Sequence, residues 1–145
     1  MKKTIIITAL VAVLAFAGSA SAQQYSPVTV YSQGTNAIAG SATVTPGSVI
    51  TMTKSNNVAF QIFATSLAGS TNAVTANFAK SVDGVTYETT PSVTLAVTAN
   101  GTNAVSALTN VATGAVGYLK LTSIVNGNTN ALTGVGVTAA KKPGN

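Results

Sequence analysis

The chain has 145 residues and a net charge of +5, with no Cys, His or Trp and only two acidic residues. These absences exclude the common zinc sites, any Ser-His-Asp constellation and a disulfide framework. With 6% charged residues, solubility rests on Thr, Ser and Asn, and the fold must be held by packing and strand pairing alone.

In chain order, Met1-Lys2-Lys3 precedes an apolar run from Thr4 to Ala17 and then Ala20-Ser-Ala22, the three zones of a secretory signal peptide. The run is shorter than the roughly 20 residues of a spanning helix, so it reads as a leader over residues 1–22, cleaved before Gln23. The expected location is secreted, in the periplasm or at the extracellular face. No later stretch is apolar enough to span a membrane as a helix, because Thr, Asn, Ser or Gly interrupts each one. Residues 23–140 form one domain's worth of chain, and residues 141–145 read as a loose tail.

From Gln23 onward, short β-branched and apolar runs alternate with Gly, Asn, Ser and Pro at sandwich or barrel spacing. Strands are expected over 28–32, 37–44, 49–54, 58–66, 73–81, 85–88, 93–98, 104–110, 116–124 and 131–138. No 3.6-residue amphipathic period survives for three turns. Val58, Phe60, Ile62 and Ala64 share one face of an extended chain, as do Val74, Ala76 and Phe78, so these rows should face the core. Val93, Leu95 and Val97, Leu119 and Leu121, and Val135 and Val137 repeat the alternation. Between the second and third of these runs, Asp83-Gly84 is a hairpin signal, with Val85-Thr-Tyr87 as the short returning strand of a type I′ turn. The fold class is all-β, a single antiparallel β-sandwich of immunoglobulin-like or jelly-roll type behind the signal peptide.

One pattern recurs four times: Gly34-Thr-Asn36-Ala, Gly69-Ser-Thr-Asn72-Ala, Gly101-Thr-Asn103-Ala and Gly127-Asn-Thr-Asn130-Ala. Unequal spacing rules out a solenoid period, and the reading preferred over a repeated ligand loop is turn geometry before a strand opening.

Little chemistry is available. Asp83 has a turn role and Glu88 ends a short strand, so no glycosidase pair is expected; two acids five positions apart also supply too few oxygens for calcium. No catalytic residue, cofactor or metal ligand is assigned. Lys54, Lys80, Lys120, Lys141 and Lys142 are scattered, which argues against nucleic acid. Tyr87 and Tyr118 are the candidate ligand contacts, since tyrosines stack on sugar rings.

The segment Phe78-Ala-Lys-Ser81-Val-Asp83-Gly84-Val-Thr-Tyr87, followed by Gly117-Tyr118-Leu-Lys-Leu121, resembles a loose group of β-sandwich domains of phage virion proteins and bacterial surface proteins. That group shows a Ser-x-Asp-Gly turn before an aromatic and then a late Tyr-bearing strand. This chain carries Tyr87 where Trp is frequent, and it adds an export signal. The resemblance implies a non-enzymatic domain for assembly, decoration or attachment. The expected function is therefore an exported structural or adhesive surface component, with a carbohydrate-binding module and a phage virion decoration protein as alternatives. Uncharged sheet edges predict self-association or strand addition from a partner.

Overall fold

A computed structural model describes residues 26–34, 36–52, 55–66, 70–98, 105–112 and 116–143. The proposed leader over 1–22 lies outside these residues. Nine strands follow in chain order: β1 (Ser26–Ser32), β2 (Thr43–Val44), β3 (Val49–Thr51), β4 (Ser55–Ser66), β5 (Ala73–Ser81), β6 (Val93–Thr98), β7 (Val105–Ala112), β8 (Tyr118–Asn126) and β9 (Leu132–Pro143). There is no helix among the described residues.

Sheet A has the order β1-β9-β4-β7, and sheet B has β2-β8-β5-β6 with β3 also on β8. β2 and β3 run the same way along β8, so they are two halves of one edge strand broken at Thr45-Pro46-Gly47-Ser48. Counted that way, the pairs are first with last, second with seventh, third with sixth and fourth with fifth. Such nesting is a long hairpin rolled into two antiparallel sheets, the jelly-roll alternative of the sequence reading.

The rows expected to face inward do so. Phe60 of sheet A and Phe78 of sheet B meet across the sandwich with ring centroids 4.6 Å apart, and Ile62, Val74, Leu95, Leu119, Leu121 and Val137 complete the core around them. Ile38, Met52 and Leu132, which no alternation singled out, are buried there as well.

Four expectations need correction. The segment 37–44 is not one strand: only Ile38 bridges to Leu132 before the two-residue β2. Residues 85–88 form no strand, and β5 pairs instead with β6, Phe78 opposite Val93. Asp83-Gly84 is therefore not a two-residue hairpin; Gly84 has φ 77° but Asp83 does not take positive φ. The reason is local, because the Asp83 carboxylate organises a longer loop over 82–92. Finally, Lys141–Pro143 continue β9, with Lys141 opposite both Ser26 and Val58, so the loose tail read over 141–145 does not begin at Lys141. Pairing on both sides of β9 carries these polar residues into the ladder despite their composition.

Candidate functional site

The residues singled out in the sequence come together at one end of sheet B. Asp83 Oδ1 accepts hydrogen bonds from the Val85 and Thr86 amides at 2.9 Å and from the Ser81 hydroxyl at 2.8 Å. The Ser81 Oγ in turn accepts from the Gly84 amide at 2.9 Å. The two amides, then the hydroxyl, stabilise the charged carboxylate and hold the Asp83 pKa down to about 2. Gly84 sits in the left-handed region against the Tyr118 ring, where a Cβ would stand 3.0 Å from Cε2, so only glycine fits both constraints.

From this turn the chain folds back over the outer surface of sheet B. The Glu88 amide donates to the Lys80 carbonyl at 3.0 Å, and Glu88 Oε2 accepts from the Lys80 amide at 3.0 Å and from Ser92 Oγ at 2.6 Å. The Ser92 hydroxyl first, and then the Lys80 amide, lower the Glu88 pKa. Tyr87 is brought under Lys120, whose Nζ lies 5.3 Å from the ring centroid. Ala79, opposite Lys120 on β8, is only 1% exposed although it lies outside the core cluster. A cleft of about 380 Å³ remains between the loop and the sheet, lined by Lys80, Tyr87, Glu88 and Val116 among others. Thus Gly84 packs against Tyr118 directly, Asp83 holds the turn that places it there, and Tyr87 joins them through Lys120, two residues along the same face of β8.

The opposite end belongs to the Gly-Asn motifs. Strands alternate in direction, so the β1–β2, β4–β5, β6–β7 and β8–β9 connections all leave from this end: Thr98 lies opposite Ala73, and Val105 opposite Ala64. The third motif, over 101–104, is outside the described residues. In the others, Asn72 donates from Nδ2 to the Gly127 carbonyl at 3.0 Å, and its own amide donates to Asn128 Oδ1 at 2.7 Å. The centre is Asn126, fully buried, which donates to the Ala39 and Asn130 carbonyls at 2.9 Å and accepts from the Asn128 amide at 3.0 Å. Ser41, at φ 56°, is held by its amide's 2.7 Å bond to the Asn128 carbonyl. Sequence reading missed Asn126 and Asn128. The signal was available: Asn126 occupies the inward row of β8, opposite Val74, where a hydrophobe is expected.

The surfaces differ. The outer face of sheet B carries a polar ladder, Thr94 to Asn77 to Ser123, each bond 3.0 Å. Sheet A shows Ala, Gly, Thr and two exposed hydrophobes, Phe63 at 42% and Leu108 at 68%. Of the edges, β1 carries Pro27 and a bulge between Thr29 and Tyr31, and the β2/β3 edge is broken. β7, the other edge of sheet A, is eight residues long, pairs only with β4 among the described residues, and contains neither charge nor proline; β6, the other edge of sheet B, is likewise uncharged but six residues long.

Strand order and packing define a jelly-roll β-sandwich, and among the described residues no group of three potential metal ligands of the His, Cys, Asp or Glu type occurs. No family model and no curated protein matches the sequence. Solved structures do. The PBSX exported protein XepA superposes with a TM-score of 0.52 at 14% identity, over 83% of this chain and 38% of that one, so the chain spans well under half of its length. A Bacillus endospore appendage, from a family of disulfide-linked pili, gives 0.37 at 19% identity over 88% and 97% of the two chains. A carbohydrate binding module from a Cellvibrio mixtus lichenase, in complex with cellotriose, gives 0.34 at 12% identity over 77% and 95%. At these identities the likeness to XepA shows the fold alone.

Proposed function

We propose that the chain is an exported, non-enzymatic structural or adhesive surface component, and that its working part is the free edge of sheet A. The observation that carries this reading is β7, whose outer edge bears none of the lysines, prolines or bulges that deter edge-to-edge pairing. Its ladder groups offer a template for a strand from a second copy. The absence of enzymatic chemistry is supported by the fate of the two acids, each of which is hydrogen-bonded into the 82–92 loop. Export is supported by the leader pattern over Met1–Ala22.

Sedimentation velocity of the exported protein across a dilution series tests the proposal. Association should be concentration-dependent, and Thr109→Lys, which places a charge on the β7 edge opposite Phe60, should shift the population to monomer. A strict monomer at every concentration, or association indifferent to this lysine, overturns it. A second reading, carbohydrate held against Tyr87, draws on the cleft of about 380 Å³ beside that ring. A glycan array with Tyr87→Ala tests it, and unchanged binding would make the tyrosine purely structural.

A further inference from the structure

The outer face of sheet A is small-residued apart from Gln61, Phe63 and Leu108 and has no partner among the described residues, and its occupant can be argued from size, charge and relief. Across β9 and β4 the outward rows read Ala140 beside Ala59, then Thr138 beside Gln61, then Gly136 beside Phe63. The Phe63 ring lies over Gly136: a Cβ there would fall 2.0 Å from ring Cε1, so glycine is what lets the ring lie down on the sheet. The result is a low ridge at the Phe63 row and a shallow floor at the Ala59 row, with the exposed Leu108 of β7 beside Gln61 in the row between them, so that an axis through that row also brings Leu108 toward Leu108 of the second copy.

Four strands about 4.8 Å apart and nine positions at about 3.4 Å span about 600 Å². Two such faces together remove somewhat more than about 1,000 Å², the lower bound for a specific interface. Charge selects the partner. The chain is cationic, so most approaches of two copies are repulsive. On this face, however, the rows from Ala59 to Thr65 contain no charged residue on β4, β9 or β7. Lys120 and Lys80 belong to the other sheet, and Lys141 directs its Nζ to the Thr51 carbonyl at 3.2 Å.

We propose that this face docks onto the same face of a second copy, about a two-fold axis that crosses the strands at the Gln61–Thr138 row. Rotation about that axis sets β4 antiparallel over β4, so the Phe63 ridge of each copy meets the Ala59 floor of the other. An axis along the strands would set ridge level with ridge, so the crossing axis is preferred. The interface is isologous, with Gln61 facing Gln61. It leaves the β7 edges free and does not depend on the edge pairing proposed above.

The chain has no cysteine, which makes the test direct. Gln61→Cys places one thiol at the axis, and Ala96→Cys places one on the exposed outer row of sheet B as a control. With a bismaleimide about 10 Å long, matching the spacing of packed sheets, Gln61→Cys should crosslink to dimer at least about tenfold faster than Ala96→Cys, because docking raises the effective thiol concentration. Ala59→Glu introduced beside Gln61→Cys should abolish that advantage, whereas Thr109→Lys should leave it intact. Equal crosslinking rates for the two cysteines overturn the proposal even if β7 association stands. If Ala59→Glu does not fold, the ratio of the two cysteine variants still decides.

Discussion

The amide of Asn126 is a buried polar group on which the loops at one end of the sandwich depend. It is fully buried, and it joins the β1–β2 and β8–β9 connections: its Nδ2 donates to the Ala39 and Asn130 carbonyls at 2.9 Å, while its Oδ1 accepts the Asn128 amide at 3.0 Å. Asn126→Ala removes these bonds, together with longer ones to the Ile38 carbonyl and from the Asn128 side-chain amide, at a site closed to water, and an unmet buried polar group costs about 1–3 kcal/mol. Ala39 O keeps a longer bond from the Ala42 amide at 3.3 Å, so part of the loss is relieved. The expected destabilisation is about 2–3 kcal/mol, or about 10 °C in Tm for a domain of this size. Asn126→Asp keeps the shape but turns a second oxygen toward two carbonyl oxygens and buries a charge, so at pH 7 it should cost more than Asn126→Ala. The introduced carboxyl would have a folded pKa above its unfolded value, since only its protonated form can donate. Its deficit relative to the unsubstituted protein should therefore shrink as pH falls through that raised pKa. Thermal unfolding followed by circular dichroism at pH 7 and pH 5, each variant compared with the unsubstituted protein at the same pH, measures both effects. If Asn126→Ala lies within about 0.5 kcal/mol of the unsubstituted protein, or Asn126→Asp matches it at pH 7, the network does not hold the loops together.

Three further outcomes are expected. Because the Asp83 pKa is lowered to about 2, its contribution is full above the ordinary carboxylate range near pH 4 and is lost as pH falls toward 2. Hydrogen exchange should then show the Val85 and Thr86 amides losing protection over that interval while β4 and β9 stay protected; unchanged protection at both amides refutes the loop's dependence on Asp83. Gly40→Ala would set a Cβ 1.8 Å from the Thr129 carbonyl oxygen, where backbone must move, and should cost at least about 2 kcal/mol in urea unfolding. Phe60→Ala empties the centre of the inter-sheet contact with Phe78 and should cost about 3–5 kcal/mol by the same measurement, with a smaller loss indicating that the sheets collapse onto the gap.

Period-two alternation made β5 and β6 legible to the residue, since Val74, Ala76 and Phe78, and Val93, Leu95 and Val97, each have water on one side and core on the other. The 82–92 loop was misread for a physical reason. Asp-Gly carries the same local preference whether it closes a two-residue hairpin or, as here, opens a longer loop. The choice was made by the Ser81 hydroxyl and the Glu88 pairing with Lys80, both outside the dipeptide. Tyr118 and Tyr87 could be named as a pair but not brought together, because Gly84 and Lys120 reach them from segments more than thirty residues away in one case each. The end of β9 was misread because Lys141 looks solvent-bound by composition, while its backbone is paired on both sides.

By itself the sequence determined an all-β body with its inward rows, and a chain without the side chains that common catalytic and metal sites require, because burial and chemistry are properties of single residues and their near neighbours. Only the tertiary structure decided which strands pair, which edges are left uncovered by a neighbouring strand, and that a buried asparagine ties two connections together. Those depend on hydrogen bonds between segments far apart in the chain, and strand period carries no information about which partner a strand will meet.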